Sequence, residues 1–320
     1  MHIFTKKGTL FMDYLTTKEA ASLWNTTEQM IRRYCRDGRI SGAVQRDGSW
    51  YVPENADRPS RKKIVTAPIP KLVKQLQRQR TKKIYHGLFD YIQVNFCYSS
   101  NRLASNRLML NQVEEVYKKG KVSVGFEPIK VDDLIEAYNH LACVNYIIDT
   151  ATARLSQTYI RKLHSMIGYS TIAERKLLFH PGEYRKDNCT LGKTKTTPPK
   201  NIGSQMSALI AEYESLDRVE LSQILDFHVR FERVHPFADG NGRVGRLIMF
   251  KECLRHEITP FILDDKRRTE YLKGIREWDM DKSTLFTPCL EAPTRFQAQI
   301  DLQKLQEYAQ RYKPADYKEE

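Results

Sequence analysis

The chain has 320 residues, of which 41% are hydrophobic and 28% charged, and its 52 Lys and Arg against 39 Asp and Glu give a formal net charge of +13. This composition is that of a globular chain of two or three domains, and the excess of basic residues indicates an anionic partner. The sequence has no apolar run near the ~18 residues of a membrane span and no signal-peptide pattern, so we expect a cytoplasmic protein without a membrane partner.

Residues 13–57 are predicted to form a small N-terminal domain after an extension at 1–12. Thr16–Glu19 has the Thr-x-x-Glu pattern of a capping box, which predicts the start of a helix. Asn25–Glu28 predicts the start of a second helix, with Gly38 as its C-terminal cap. Two helices joined by a short turn are the layout of a helix-turn-helix.

A hairpin is predicted next, because Asp47 and Gly48 form a strong two-residue turn signal. Helices and hairpin together resemble the winged helix-turn-helix of MerR-like or excisionase-type DNA-binding proteins. That resemblance implies a second helix in the major groove of double-stranded DNA and a wing near phosphate. The residues expected at DNA are Thr27, Gln29, Arg32, Arg33 and Arg46. A small protein-binding module is the alternative, since a shared fold does not establish DNA binding.

Residues 58–70 are predicted to be a proline-containing linker, and basic residues continue through it to Lys83 without an acid. A helical body is expected from 71 to 320. Its clearest amphipathic helices are predicted at 130–153, 155–166 and 220–234. A polar helix at 292–312 is expected to dock on the body or on a second subunit, which leaves a homo-oligomer open.

The most informative segment is 235–246, His-Pro-Phe-Ala-Asp-Gly-Asn-Gly-Arg-Val-Gly-Arg. Apolar residues at helical spacing flank it, so its glycines are predicted to open onto a helix N-terminus, where free N–H groups favour anions. His235 is suited to take a proton from a hydroxyl, and Asp239 to hold a divalent metal. Arg243 and Arg246 lie on one helix face and are suited to bind phosphate. The alternative is a turn that only joins two helices.

The segment matches the Fic family signature, His-x-Phe-x-Asp/Glu-Gly-Asn-Gly-Arg-x-x-Arg, at every position. This resemblance implies a mainly α fold, a Fic-type helical bundle with a β-hairpin flap, that transfers AMP from ATP to a Ser, Thr or Tyr hydroxyl of a target protein or of the chain itself. It implies that His235 is the general base and that Asp239 binds Mg²⁺. The nucleotide-binding residues it implies are Phe237 as the loop anchor, Gly240, Asn241 and Gly242 as the anion site, Arg243 for the β-phosphate and Arg246 for the γ-phosphate.

The resemblance extends to a flap at about 183–199, which Gly182–Arg185 is expected to enter as a strand. An exposed hairpin edge there would hold the backbone of the target by strand addition, and a basic surface loop is the alternative. Residues 266–272 resemble the helix that contacts adenine in the family. Tyr271 is expected to make that contact, although Leu272 stands where a second Tyr is frequent; a core role for Tyr271 is the alternative.

Many Fic proteins carry an inhibitory helix of pattern Ser/Thr-x-x-x-Glu-Gly/Asn, whose Glu pairs with the second motif arginine. The matching helix is predicted at about 98–116, where Ser100 occupies the first position and Ala104 the position of the acid. Without that carboxylate we expect Arg246 to be free for the γ-phosphate and the chain to be active without a releasing partner. Ala104 is either a natural loss or an introduced activating substitution.

The sequence thus predicts an ATP- and Mg²⁺-dependent protein adenylyltransferase. One rival is a DNA-binding transcription regulator whose Fic domain senses nucleotide or modifies only itself. Another is an enzyme on the same scaffold that moves a different phosphate-linked group or removes AMP. The six cysteines lack CxxC spacing, which indicates reduced thiols and no zinc site; they are Cys35, Cys97, Cys143, Cys189, Cys253 and Cys289.

Overall fold

The chain divides into two compact units, Met1–Val65 and Thr66–Glu320. The computed structural model describes residues 13–36, 38–59, 68–123, 128–192, 194–285, 287, 289 and 296–301. Within these ranges no helix is both long and apolar enough to cross a bilayer. The described cysteines are all free thiols, and Cys189 is the one with appreciable exposure.

The N-terminal unit combines two helices with a small antiparallel sheet. Its elements are β1 (Tyr14–Thr16), α1 (Thr17–Leu23), α2 (Glu28–Arg36), β2 (Val44–Arg46) and β3 (Ser49–Pro53). The sheet order is β1-β3-β2, and β1 pairs with β3 in the register Leu15 to Val52. Strand β1 was not predicted, because three residues ahead of a capping box carry too little pattern to separate a strand from a lead-in to the helix.

The local signals of this unit are confirmed. Thr16 and Glu19 form the reciprocal capping box at the start of α1. Arg46 pairs with Ser49, so Asp47 and Gly48 are the two turn residues, and both have positive φ, 47° and 76°. A turn with positive φ at both centres matches the twist of a hairpin. The unit has its own buried core, formed by Ala20, Ala21, Trp24, Ile31, Tyr34, Cys35, Ile40 and Val52.

The C-terminal unit is mainly helical. Its helices are α3 (Lys71–Thr81), α4 (Leu88–Leu103), α5 (Leu110–Lys119), α6 (Val131–Asp149), α7 (Gln157–Gly168), α8 (Ile172–Arg175), α9 (Pro199–Glu214), α10 (Leu221–Val234), α11 (Asn241–Arg255) and α12 (Arg268–Glu277), with a 3₁₀ turn at Asp265–Arg267. One two-stranded hairpin pairs β4 (Thr190–Leu191) with β5 (Thr194–Lys195).

Helix α11 lies at the centre of this unit, packed against α4, α6, α7 and α10. Almost every residue from Asn241 to Leu254 is buried, on all sides of the helix. A helix buried all round carries no amphipathic stripe, so its apolar side chains Val244, Leu247 and Phe250 fill the core in different directions. The N-terminal end of α11 is therefore held rigidly by the core.

The helix predicted at about 98–116 is wrong as a single element. Helix α4 ends at Leu103 and α5 begins at Leu110. Between them Ser105 has φ 72°, and the side chain of Asn106 accepts a hydrogen bond from the backbone N–H of Leu108 at 3.1 Å. Asn side chains compete for backbone groups in this way, which ends a helix and begins a turn.

Two further boundaries differ from prediction. Gly182–Arg185 is irregular rather than a strand, because the backbone N–H of Arg185 is bonded to the carbonyl of Pro236 instead of to the hairpin. Within the predicted helix 292–312, residues 296–301 are helical and the others lie outside the described residues. Phe296 is buried there against Phe250 of α11, with ring centroids 6.1 Å apart.

Candidate active site

The loop between α10 and α11 is bounded by two left-handed residues. His235 ends α10 with φ 49°, and Gly240 precedes α11 with φ 78°. Left-handed backbone at a histidine is uncommon and requires support from its surroundings, whereas glycine adopts it without a Cβ penalty. No side chain caps the N-terminus of α11, so its first N–H groups face the loop.

The loop is anchored from below by Phe237, which is fully buried. Its ring stacks on that of His164 with centroids 3.8 Å apart and 6° between planes. Asn241 accepts a hydrogen bond from the N–H of Phe237 at 2.9 Å and donates one to its carbonyl at 2.8 Å. Phe237 and the Asn241 side chain therefore shape the loop, and direct contact of the Phe237 ring with a nucleotide is ruled out by its burial.

His164 of α7 was not predicted as a site residue, yet it fixes the loop. The N–H of Gly182 donates to His164 Nδ1 at 2.7 Å, so Nδ1 carries a lone pair and Nε2 carries the proton. Nε2 accordingly donates to the carbonyl of Asp239 at 3.0 Å. Burial lowers the pKa of His164 to about 4, which keeps this tautomer neutral.

His235 is half-buried, and its imidazole is neutral. Its Nδ1 lies 3.2 Å from the carbonyl oxygen of Glu232, which can only accept a hydrogen bond. Nδ1 therefore carries the proton, and Nε2 has a free lone pair. Burial is the main cause that lowers the pKa of His235 below the usual value of 6.5. The ring is thus a proton acceptor at neutral pH.

Arg185 joins the flap region to the backbone of this loop. Its Nε donates to the carbonyl of His235 at 2.7 Å, and its backbone N–H to the carbonyl of Pro236 at 2.9 Å. Its Nη2 donates to Thr196 Oγ1 at 2.9 Å and to the carbonyl of Thr197. A planar guanidinium with donors on both edges is suited to this bridging role, which sequence spacing alone does not reveal.

A cavity of about 410 Å³ opens above the loop and is large enough for a nucleotide. It is lined by every residue of the motif from Ala238 to Arg243, by His235 and Arg246, by Ala104 and Ser105 after α4, by Leu191 and Gly192 of the hairpin, and by Arg268, Tyr271, Leu272, Ile275 and Arg276 of α12. The structure therefore brings the predicted base, anion site, hairpin and α12 together around one space.

Arg243 is nearly buried, with 6% of its side chain exposed, and it forms two ion pairs. Nη1 lies 2.6 Å from Glu136 of α6, and Nη2 lies 3.2 Å from Asp239. Its Nε has no hydrogen-bond partner among the residues that the structure describes. A buried N–H without a partner carries a desolvation cost. Glu136 was not predicted.

Arg246 is hydrogen-bonded within the protein by neutral groups, and its availability to the γ-phosphate stays a prediction. Its Nε donates to the hydroxyl of Ser100 at 3.1 Å and its Nη2 to the carbonyl of Ser100 at 2.7 Å. Nη1 lies 3.4 Å from the hydroxyl of Tyr271. The reason is geometric: Ser100 is the last-turn residue of α4 that faces Arg246, and its carbonyl is available because the helix ends at Leu103.

Tyr271 lines the cavity but is only 3% exposed. Its hydroxyl lies 2.8 Å from Nε2 of His228. The structure thus places most of this ring in the core, which favours the alternative of a structural tyrosine, and the exposed side chain of Arg276 and the half-buried Leu272 form more of the α12 wall.

Glu232 is a carboxyl group that sequence reasoning missed. It lies one turn before His235, is buried, and lines the same cavity. Burial raises the pKa of Glu232 to about 7, and the nearby Arg246 opposes that rise. A Cβ at position 245 would lie 2.8 Å from Glu232 Oε1 and 2.8 Å from the ring of His228, so Gly245 lets α10 approach α11.

Asp239 fits a magnesium ion that also binds phosphate. Its side chain is 65% exposed at the cavity, and Arg243 pairs with one of its oxygens. In the described residues no group of three or more His, Cys, Asp or Glu side chains could hold a metal by itself. Mg²⁺ commonly takes one or two protein carboxylates and completes its shell with water and substrate phosphates, so a single carboxylate here is compatible with that ion.

The residues expected at DNA lie in the N-terminal unit. Thr27, Gln29, Arg32 and Arg33 are exposed on or just before α2, and Arg46 is exposed on β2. Arg32 Nη2 lies 2.6 Å from Glu28, which partly neutralises it.

A family model and the named relatives point to the same group of proteins. Residues 154–253 match the model of the Fic/DOC family. Protein adenylyltransferase fic-1 of Caenorhabditis briggsae is 25% identical over 192 residues, 56% of this chain and 35% of that protein. Protein adenylyltransferase Fic of Drosophila willistoni is 28% identical over 146 residues, 42% of this chain and 29% of that protein. The chain thus aligns with only about a third of the length of these relatives.

Solved structures share the fold. A Fic domain containing signaling protein from Bacteroides thetaiotaomicron has a TM-score of 0.57 at 19% identity and covers 72% of this chain and 94% of its own. Fic-1 of Caenorhabditis elegans has a TM-score of 0.55 at 18% identity, covering 72% of this chain and 71% of its own. Residues 154–253, with α10, the motif loop and most of α11, are the part of the chain that matches the Fic/DOC family model.

Proposed function

We propose that this chain is a protein adenylyltransferase that transfers AMP from ATP to a hydroxyl group of a target protein or of itself. The observation that carries the proposal is that His235, the start of α11, Arg243 and Arg246 line one cavity, with Nδ1 of His235 bonded to a carbonyl so that Nε2 is its basic nitrogen. Relatives named protein adenylyltransferase support the same reaction class.

In the proposed reaction the target hydroxyl oxygen attacks the α-phosphorus of ATP. The new O–P bond forms as the bond from the α-phosphorus to the bridging oxygen of the β-phosphate breaks, and pyrophosphate leaves. Nε2 of His235 accepts the hydroxyl proton. Backbone N–H groups at the start of α11 and the guanidinium groups of Arg243 and Arg246 stabilise the phosphate charge. Asp239 would hold a Mg²⁺ ion, which would supply positive charge at the phosphates of ATP.

The hairpin β4–β5 is proposed to hold the target. Its residues Leu191 and Gly192 line the cavity, so a target strand paired to its edge would pass the base. Three observations favour this placement over a plain surface loop: the hairpin exists, it reaches the cavity, and Arg185 ties its base to the loop of His235.

Radiolabelled ATP tests the proposal directly. Protein incubated with Mg²⁺ and ATP should retain label from the α-position and none from the γ-position. His235→Ala should lower transfer by about 10²–10⁴-fold, the usual contribution of a general base, while ATP binding persists. Label retained from γ alone would identify a kinase, and no label from either position would favour a regulator that only senses nucleotide.

A further inference from the structure

The short segment from Ser100 to Asn106 contacts Arg246 directly and is linked to Arg243 through Glu136. Ser100 is 1% exposed and binds Arg246 through its hydroxyl and its carbonyl, at 3.1 and 2.7 Å. This contact spans 146 positions of sequence and joins the last turn of α4 to the first turns of α11. The segment predicted as an inhibitory element without its acid is therefore bonded to the arginine that such an element would block.

Asn106, at the other end of the segment, is linked to Arg243 through Glu136. Asn106 is 3% exposed, and its Nδ2 donates to Glu136 Oε2 and to the carbonyl of Asp133, each at 3.0 Å. The second oxygen of Glu136 lies 2.6 Å from Nη1 of Arg243. Asn106 thus fixes the carboxylate that fixes Arg243, and both links are mostly shielded from water, which strengthens them.

The contacts leave donors for a ligand. On Arg246, Ser100 occupies Nε–H and one N–H of Nη2, and Tyr271 lies near one N–H of Nη1, so one N–H on each terminal nitrogen remains. On Arg243, Nε–H has no partner among the described residues. Both side chains line the cavity, so an anion bound there would lie beside two guanidinium groups.

We infer that the segment Ser100–Asn106 is a positioning element that holds Arg243 and Arg246 in the orientation that binds the β- and γ-phosphates of ATP. This inference rests on the proposed function. Its physical basis is preorganisation: a long arginine side chain that is fixed in the folded protein loses little further rotamer freedom when the phosphates bind. Ser100, Asn106 and Glu136 touch no phosphate themselves and act through the two arginines.

The test compares binding of ATP and of AMP by the full chain, measured by calorimetry with Mg²⁺ present. Ser100→Ala and Asn106→Ala should each raise the Kd for ATP roughly tenfold, as expected for loss of a hydrogen bond involving a charged group. The Kd for AMP, which lacks the β- and γ-phosphates, should change less than about twofold by the same reasoning. Ser99→Ala, on the same helix, and Asn111→Ala, exposed on α5, serve as matched controls.

Two results would overturn the inference. One is an unchanged Kd for ATP in both Ser100→Ala and Asn106→Ala. The other is an equal loss of ATP and AMP binding, which would show that the segment only supports the fold; AMP binding thus also reports whether each variant is folded. Failure of the proposed function would be seen in the wild-type chain itself. That chain would then bind ATP without transferring AMP, or would bind no ATP at all.

Discussion

A backbone carbonyl sets the tautomer of His235 in which the ring can act as a base. Its Nδ1 donates to the carbonyl of Glu232, which is available because α10 ends at the left-handed His235 itself. The residue type and the motif spacing predict a proton acceptor at this position. The tautomer could not be predicted, since it depends on which carbonyl the helix end leaves unpaired.

The depressed pKa of His235 predicts the acid limb of the pH profile. A general base must be neutral, so kcat/KM should fall only when the pH drops below the pKa of the free enzyme. Because burial lowers that pKa below 6.5, the rate should still be above half-maximal at pH 6.5. The profile of kcat/KM for self-transfer between about pH 5 and 8 measures this.

Glu232 provides the control for that profile, since its pKa of about 7 lies in the same range. Glu232→Gln removes this second titration and should leave the acid limb of His235 in place. If the acid limb of kcat/KM in Glu232→Gln has its midpoint at or above pH 6.5, the assignment of a lowered pKa to His235 is contradicted.

Ala104 supports a second prediction at this scale. It is exposed at the wall of the cavity, so a carboxylate placed there would compete with the γ-phosphate for Arg246. Ala104→Glu should lower AMP transfer at least about tenfold, the size of one charged hydrogen bond. Ala104→Gln has the same length without the charge and should retain most activity. Equal activity of both variants and the wild-type chain would show that this position does not regulate transfer.

At the scale of elements, periodicity predicted the helices and failed at their ends. Helix α10 carries a clear apolar stripe, and capping signals located the start of α1. The break between α4 and α5 follows from the side-chain bond of Asn106 and the left-handed Ser105, which no helical period encodes. Helix α11 is buried on all sides, so its position came from the glycines before it rather than from amphipathicity.

Helix α11 contains a buried ion pair, so the stability of the C-terminal unit depends on the charges of both partners. Lys251 and Glu252 are 0% and 1% exposed and 2.6 Å apart. Lys251 also donates to the carbonyl of Ala153, and Tyr213 of α9 donates to Glu252 at 3.0 Å. The pair therefore joins α11 to the turn after α6 and to α9.

Breaking this pair should destabilise the C-terminal unit strongly. Glu252→Gln leaves the ammonium group of Lys251 buried without a counter-ion, at a cost of about 3–5 kcal/mol in the free energy of unfolding. The double variant Lys251→Met, Glu252→Gln removes both charges and should recover most of that loss. Denaturant unfolding of the wild-type chain, Glu252→Gln, Lys251→Met and the double variant measures these values, and a loss in the double variant equal to the sum of the two single losses would show that the pair contributes no coupling.

At the scale of the whole molecule, the motif could be predicted from the sequence, but the residues that hold the motif loop in place could not. His235, Asp239 and the glycines were evident from one dozen residues, whereas Glu136, His164 and Arg185 lie far from that dozen in sequence. They meet it only because the helices pack around α11. Long-range partners of this kind depend on the packing of the whole unit, which the spacing of residues along the chain does not encode.

The N-terminal unit provides the prediction at this scale. If α2 enters the major groove, binding of the full chain to a DNA duplex should weaken steeply with salt, and Arg32→Ala/Arg33→Ala should reduce affinity. Arg175→Ala/Lys176→Ala removes the same charge from an exposed site of the C-terminal unit and is the matched control. Equal loss in both double variants would indicate attraction by net charge alone, without a binding face on α2.

Arg185 sets a fixed spacing between the hairpin and the base, because it bonds the backbone at His235 and the residues at Thr196 and Thr197 that follow β5. The distance from the hairpin to Nε2 of His235 would therefore be fixed. The register in which a target strand pairs with the hairpin would determine which target residue lies beside that nitrogen. Side chains alternate along a strand, so a slip of two residues would present another side chain on the same face. Which hydroxyl becomes modified would then be decided by strand register, with little demand on the identity of the surrounding target residues.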